Sequence, residues 1–143
     1  MLAIGDRRCI GSTAKNLGNM ANAEGDHRRA AELLVESLAV RHELGDDAGL
    51  AECLEGLAVA AMGVGRPVDA ACLLGAAHAR RQASGALPHP EEETEVRSTE
   101  AQVRAGLAPD EFTRAWEHGG GLGPEEALRH GRDLLAVLGG PVR

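Results

Sequence analysis

An all-α, right-handed helical-hairpin solenoid is the fold this sequence predicts, and three observations predict it. The first is composition. Of 143 residues 43% are hydrophobic, yet the aromatics are Phe112 and Trp116 alone, with no Tyr. Sheets draw on aromatic and β-branched side chains, whereas the Ala, Leu, Glu and Arg that dominate here favour helices. The second is a forty-residue register. "GDHRRAAELL" at 25–34 returns as "GRPVDAACLL" at 65–74, and Gly5, Asp6, Leu17 and Ala21 fall on Gly45, Asp46, Leu57 and Ala61. Ala39, Arg41 and Gly45 fall in turn on Ala79, Arg81 and Gly85. The third is punctuation: Gly closes each apolar stretch, where it permits a left-handed cap, and Asp stands where the next helix begins.

Each period divides into two helices of about eighteen residues with short turns. In the first repeat, residues 5–44, helix 7–24 ends at Gly25 and helix 27–44 ends at Gly45. In the second, residues 45–85, helix 47–64 carries one apolar stripe, Leu50, Cys53, Leu54, Leu57, Ala58 and Ala61, at helical spacing. Helix 67–84 opens on Pro67, which a first turn tolerates. Helices 27–44 and 67–84 are apolar more nearly all round, through Ala30, Ala31, Leu33, Leu34, Leu38 and Val40, then Ala70, Ala71, Leu73, Leu74, Ala76 and Ala77. A helix contacted on two sides needs that pattern, and Ala and Gly75 allow close approach. The register predicts superposable antiparallel hairpins with Leu17, Leu34, Leu57 and Leu74 all buried.

After Gly85 the repeat degenerates into a divergent capping unit, residues 86–143, within a single domain 1–143. "ALPHP" is a turn, and Pro90 opens a helix to 107 whose Glu91, Glu92, Glu93 and Glu95 complement the positive end of the helix dipole. Val96, Thr99, Val103 and Leu107 mark its buried side. A shorter helix, 109–118, is broken by "GGGLG", and helix 124–138 presents Ala127, Leu128, Gly131, Leu134, Leu135 and Leu138. Phe112 and Trp116, one turn apart, are expected to anchor this cap on the end of the stack.

Two stretches also carry a family resemblance. One is "RRAAELLVESLAVRHELGD" with "CLEGLAVAAMGVGRPVDAACLLGAAHARRQASG"; the other is the tail "AGLAPDEFTRAWEHGGGLGPEEAL", with Phe112, Ala115, Trp116, Gly119, Glu125, Glu126 and Ala127 in sequence. The chain resembles the C-terminal tetratricopeptide-like region of bacterial LuxR-type and MalT-like (STAND-class) signal-transducing regulators. In that family an ATPase precedes the region, and in many members a helix-turn-helix domain follows it. This chain starts almost within the first repeat and stops at "GGPVR", so the resemblance implies a regulatory interaction module without ATP hydrolysis or DNA binding. It also allows a small-ligand sensor that binds an inducer on the concave face.

The chemistry in the sequence points the same way. A net charge of -7, with Lys15 the only lysine, opposes non-specific nucleic-acid binding through a broad basic face. Cys9, Cys53 and Cys72 imply no disulfide framework, and neither a signal peptide nor a spanning stretch is visible, so a cytoplasmic protein is expected. "GSTAKN" at 11–16 lacks the order of a phosphate loop and lies in a helical pattern. The six His and three Cys show no metal-ligand spacing, and Ser12, Ser37, Ser84 and Ser98 have no nucleophile signature. No catalysis, cofactor, metal or membrane is expected.

Two candidate surfaces remain. Lys15, Asn19 and Asn22 follow i, i+4, i+7 on the first helix, with Asn16 beside them. On a concave face they could hold a carboxylate, such as a peptide C-terminus. The register positions of this stripe in the second repeat, Glu55, Val59 and Met62, do not continue it. The other surface follows from "MLAIGD", in which "LAI" echoes "LAV" at 38–40. With no hairpin before the first, its outer side would be left apolar, Ile10, Leu17, Met20 and Leu38 being the residues concerned. A two-fold homodimer is the simplest cover, a protein partner the other.

Overall fold

The computed structural model describes residues 4–138. They form seven helices and, among the described residues, no strand: α1 (Ile4–Ala23), α2 (His27–Glu43), α3 (Asp47–Gly63), α4 (Pro67–Ser84), α5 (Pro90–Ala105), α6 (Pro109–Gly120) and α7 (Pro124–Leu138). The first two residues of the expected "LAI" echo, 2–3, and the terminal "GGPVR" lie outside the described residues.

Local chemistry sets the boundaries. The glycines with positive φ are Gly25, Gly45, Gly65 and Gly85, which follow α1 to α4 at twenty-residue intervals. A side chain in that left-handed backbone would cost roughly 1–2 kcal/mol. The Asp26 and Asp46 carboxylates accept the backbone N–H of Arg29 and Gly49, capping α2 and α3. The last three helices share another device. Pro90, Pro109 and Pro124 each lead, and Glu92, Glu111 and Glu126 reach back to accept the N–H of His89, Ala108 and Gly123. Gly5 does not act as the register suggests. The helix already includes it, so Asp6 sits in the first turn of α1, where it complements the dipole, instead of capping it.

Helices α1 to α4 pack in chain order as antiparallel neighbours. Glycine rows set how closely. Leu34 of α2 lies between Gly18 of α1 and Gly56 of α3; a Cβ at Gly18 would stand 2.8 Å from Leu34 Cγ, and one at Gly56 2.9 Å from Leu34 Cδ1. Seven residues on, Arg41 lies in the same way between Gly11 and Gly49. The core at this level comprises Leu34, Leu38, Leu50, Leu54, Leu57 and Leu73, all at 1% exposure or less. Each contributes about 1.5–3 kcal/mol by leaving water.

The third unit departs from the hairpin pattern. Along α4 packs α6, not α5. The crossing is tight enough that a Cβ on Gly75 would meet the Trp116 carbonyl and one on Gly119 the Cys72 carbonyl. Phe112 is buried and stacks on Trp116 at 5.6 Å between centroids, with the Arg104 guanidinium 4.0 Å over the Phe112 ring. Helix α7 returns across α2, its Gly131 against Leu38 and Leu57. Helix α5 is anchored through buried Thr99 and Val103 and touches α3, α4 and α6 only lightly.

Two burial expectations fail. Leu17 is 45% exposed, although its register partner Leu57 is fully buried along with Leu34 and Leu74. Leu57 is covered where α2 and α7 meet, while nothing among the described residues covers that side of α1. Leu38, expected on the open apolar patch, is instead 0% exposed because α7 seats Gly131 on it.

Candidate functional site

The most developed concavity lies where α5 stands off from the rest. Its floor is α3 and α4, with α1 at one edge. Arg81 of α4 holds it together: Nε donates to Glu55 Oε2 at 2.7 Å and Nη2 to Glu55 Oε1 at 2.8 Å. The same Nη2 lies 3.7 Å from Glu92 of α5. The first hairpin has no such pair, because the register places Lys15 where Glu55 stands and Arg41 where Arg81 stands. Two cations repel, so Arg41 donates instead to Asp46 at 2.9 Å and Ser12 at 3.3 Å, and Lys15 turns to Glu52 of α3 at 3.4 Å.

Around the Arg81 node lie two adjoining cavities, both walled by Glu55, Leu74 and Val96. The smaller, about 80 Å³, is bounded by Lys15, Asn19, Glu52, Val59, Glu92, Glu95 and Thr99. The larger, about 570 Å³, reaches His78, Gln82, Leu87, Glu93, Arg97, Glu100 and Trp116. That is the size of a small-molecule pocket. His78 and Trp116 form an aromatic wall, their ring centroids 5.5 Å apart. Leu87, on the α4–α5 loop at the rim, is 91% exposed.

The lining is acidic. Glu52, Glu55, Glu92, Glu93, Glu95 and Glu100 face the two cavities, against the fixed cations Lys15, Arg81 and Arg97. Each cation is already engaged, Arg97 with Glu93 at 2.6 Å. The Glu55 carboxyl is pushed above its ordinary range by burial, with Glu92 and Glu52 adding to the effect, even though the Arg81 hydrogen bonds pull the other way. Arg81 is raised in turn, chiefly by its hydrogen bond to Glu55.

The four residues of the Lys–Asn set do not all line one cavity. Lys15 and Asn19 line the smaller cavity, but the Asn22 amide donates to the Gly56 carbonyl at 3.0 Å and its Oδ1 lies 3.0 Å from His27 Nδ1. Asn22 is therefore a tie between α1, α2 and α3. Asn16 is exposed and lies apart from the cavity. Lys15 is paired with Glu52 and has glutamates around it, so the cleft is acidic where the stripe suggested a carboxylate site. Sequence reasoning missed Glu52, Glu55, Arg81 and Trp116 as walls of one cleft. The signal available was the exchange of Lys15 for Glu55 at one register position.

On the opposite edge of α1, Ile10, Leu17 and Met20 are 37%, 45% and 58% exposed, and Cys9 and Thr13 border them. Leu38 does not belong to this surface.

The remaining polar groups serve the fold. Ser37 donates to the Gly11 carbonyl at 2.7 Å and accepts from Cys53 Sγ at 3.2 Å, both side chains being fully buried. Burial pushes the Cys53 thiol up to about 11, against the lowering effect of Ser37 and Arg41. Burial, then the Asp69 charge, pushes Cys72 up to about 11 as well. A thiol so raised is a poor nucleophile. Among the described residues no three His, Cys, Asp or Glu side chains come together as a metal would require. No helix among them is long and apolar enough to cross a membrane. Comparison with known protein families, with curated proteins and with solved structures returns no match to this chain.

Proposed function

We propose that this chain is a non-catalytic interaction and regulatory module of tetratricopeptide-like build, acting in the cytoplasm by protein–protein contact. Its kinship would be with the helical-repeat region of LuxR-type and MalT-like regulators. The observation that carries the reading is the outer face of α1. Ile10, Leu17 and Met20 are exposed there, whereas their register counterparts Leu50, Leu57 and Ala60 are at 1% exposure or less. A stacked helix that leaves such a stripe uncovered has a surface suited to another helix. The occupant would be a second copy of the chain, pairing α1 with α1. Light scattering over a dilution series tests this, with Leu17→Glu as the control. The parent is expected to be dimeric at tens of micromolar and the variant monomeric but equally helical. A monomeric parent would remove self-association and leave a heterologous partner for that face.

A second reading, a small-ligand sensor, is favoured by the roofed cleft beneath α5. A scaffold offers a broad groove or a patch, whereas a sensor needs a cavity with polar groups at fixed positions; the Arg81–Glu55–Glu92 node beside a half-open cavity of about 570 Å³ supports that reading. Differential scanning fluorimetry against pooled metabolites would separate the two readings: a scaffold should show no ligand-dependent stabilisation.

A further inference from the structure

We infer that the cleft beneath α5 binds a small organic cation with a flat or bulky apolar body, the body against Trp116 and the cationic head among the glutamates. The inference rests on the ligand-sensor reading and adds the chemical class. Two features of the cleft fix that class. One end is large and apolar, walled by Leu74, Val96, His78 and Trp116 in a cavity of about 570 Å³, which accommodates a ring. The other end is narrow, about 80 Å³; Lys15 there is spent on Glu52, and the carboxylates of Glu92 and Glu95 on the α5 side suit an ammonium or guanidinium head.

Charge decides the sign. Of the six glutamates lining the two cavities, Glu52, Glu55, Glu93 and Glu100 are paired with Lys15, Arg81, Arg97 and Arg104, which leaves Glu92 with only the 3.7 Å contact to Arg81 and Glu95 with no cation partner among the described residues. An anionic ligand would have to displace a carboxylate from Lys15 or Arg81. A cation meets the carboxylates of Glu95 and Glu92, and so relieves the crowding of Glu52 and Glu92 around Glu55. The site also has a means of response. Helix α5 brings Glu92, Glu95 and Val96 to the cleft, and its first half is held there by Val96 against the core and by the Arg81–Glu92 contact. A cation placed between Glu52 of α3 and Glu95 of α5 would draw that half down onto the floor.

The test uses the full chain and its single tryptophan, Trp116, as a local reporter. The probes are 2-phenylethylammonium and its charge-reversed analogue 3-phenylpropionate. The expected result is a saturable change in Trp116 emission with the amine alone, weakened by added salt. Glu95→Gln, at an exposed position, should raise the apparent Kd about two- to fivefold without changing the thermal midpoint. A saturable response to phenylpropionate alone would overturn the cationic assignment and leave a ligand chamber. No saturable response to either probe would overturn both. Equal responses that ignore salt and Glu95→Gln would mean non-specific partition onto Trp116, and would also overturn the inference.

Discussion

Replacing Gly119 with Ala should have the opposite effect on stability from replacing its neighbour Gly120. In a helix interior, Gly→Ala by itself favours folding by up to ~1 kcal/mol, since Ala loses less backbone entropy. Gly120 meets only the Gly75 carbonyl, 3.9 Å from where a Cβ would stand, so Gly120→Ala should keep some of that gain. At Gly119 the added methyl runs into the Cys72 carbonyl and lies 3.0 Å from the Ala76 nitrogen. Both are backbone atoms of α4 and cannot rotate away, so α6 must lift. Overpacking of this kind costs roughly 1–3 kcal/mol. Lifting α6 would also loosen Phe112 and Ala115, which are 3% and 8% exposed. Gly119→Ala is therefore expected to lose about 2 kcal/mol or more, which places the two variants about 3 kcal/mol apart. Urea unfolding followed by circular dichroism and by Trp116 emission measures both. If Gly119→Ala proves as stable as Gly120→Ala, the close crossing of α4 and α6 is wrong.

Three other outcomes follow from the same packing. At dilutions where the chain is monomeric, Leu57→Ala should cost about 2–5 kcal/mol and Leu17→Ala at most about 1 kcal/mol, although the two share a register position; equal losses in denaturant unfolding there would contradict their different burial. At pH 8 a disulfide-exchange reagent should label exposed Cys9 at once and reach Cys53 and Cys72 only on unfolding, so fast labelling of more than one thiol in the native protein would count against the buried pair. Glu55 binds its proton more tightly in the folded chain than in the unfolded one. Its contribution to stability is thus present below the unfolded value of 4.5 and is lost as pH rises through the raised folded value. Between pH 4.5 and neutrality, the stability difference between Glu55→Gln and the parent should move in the variant's favour; movement the other way would show that the Arg81 pair outweighs burial.

The ends of α1 to α4 and the starts of α2 to α7 were legible in the sequence because a short-range device marks each: a left-handed Gly, an Asp cap or a Pro in the first turn. The core of α2 to α4 was legible because Leu34, Leu57 and Leu74 repeat with their surroundings. Leu17 and Leu38 were not, because α7, which lies far along the chain and outside the register, covers Leu38 and Leu57 but does not reach Leu17. The expected carboxylate stripe shows a related limit. Lys15, Asn19 and Asn22 share a helical face, but a face says nothing about what lies opposite, and Glu52 and Gly56 of α3 claim two of the three. The acidic cleft needed α5 in place before Glu92 and Glu95 could be seen to face Glu52 and Glu55.

The return of α7 to α2 limits the length of the stack. A stack of hairpins that touch only in series can gain or lose a hairpin at little cost, since each interface is local. Here Gly131 must reach Leu38 and Leu57, residues contributed by both hairpins. Inserting a third hairpin after α4 would move α6 outward by about 10 Å or more, one helix spacing at least, and carry α7 off its seat. Deleting one would remove half of that seat. The forty-residue unit is easy to copy at the level of sequence, yet the last helix measures the distance back to the second and accepts no further copy between the two.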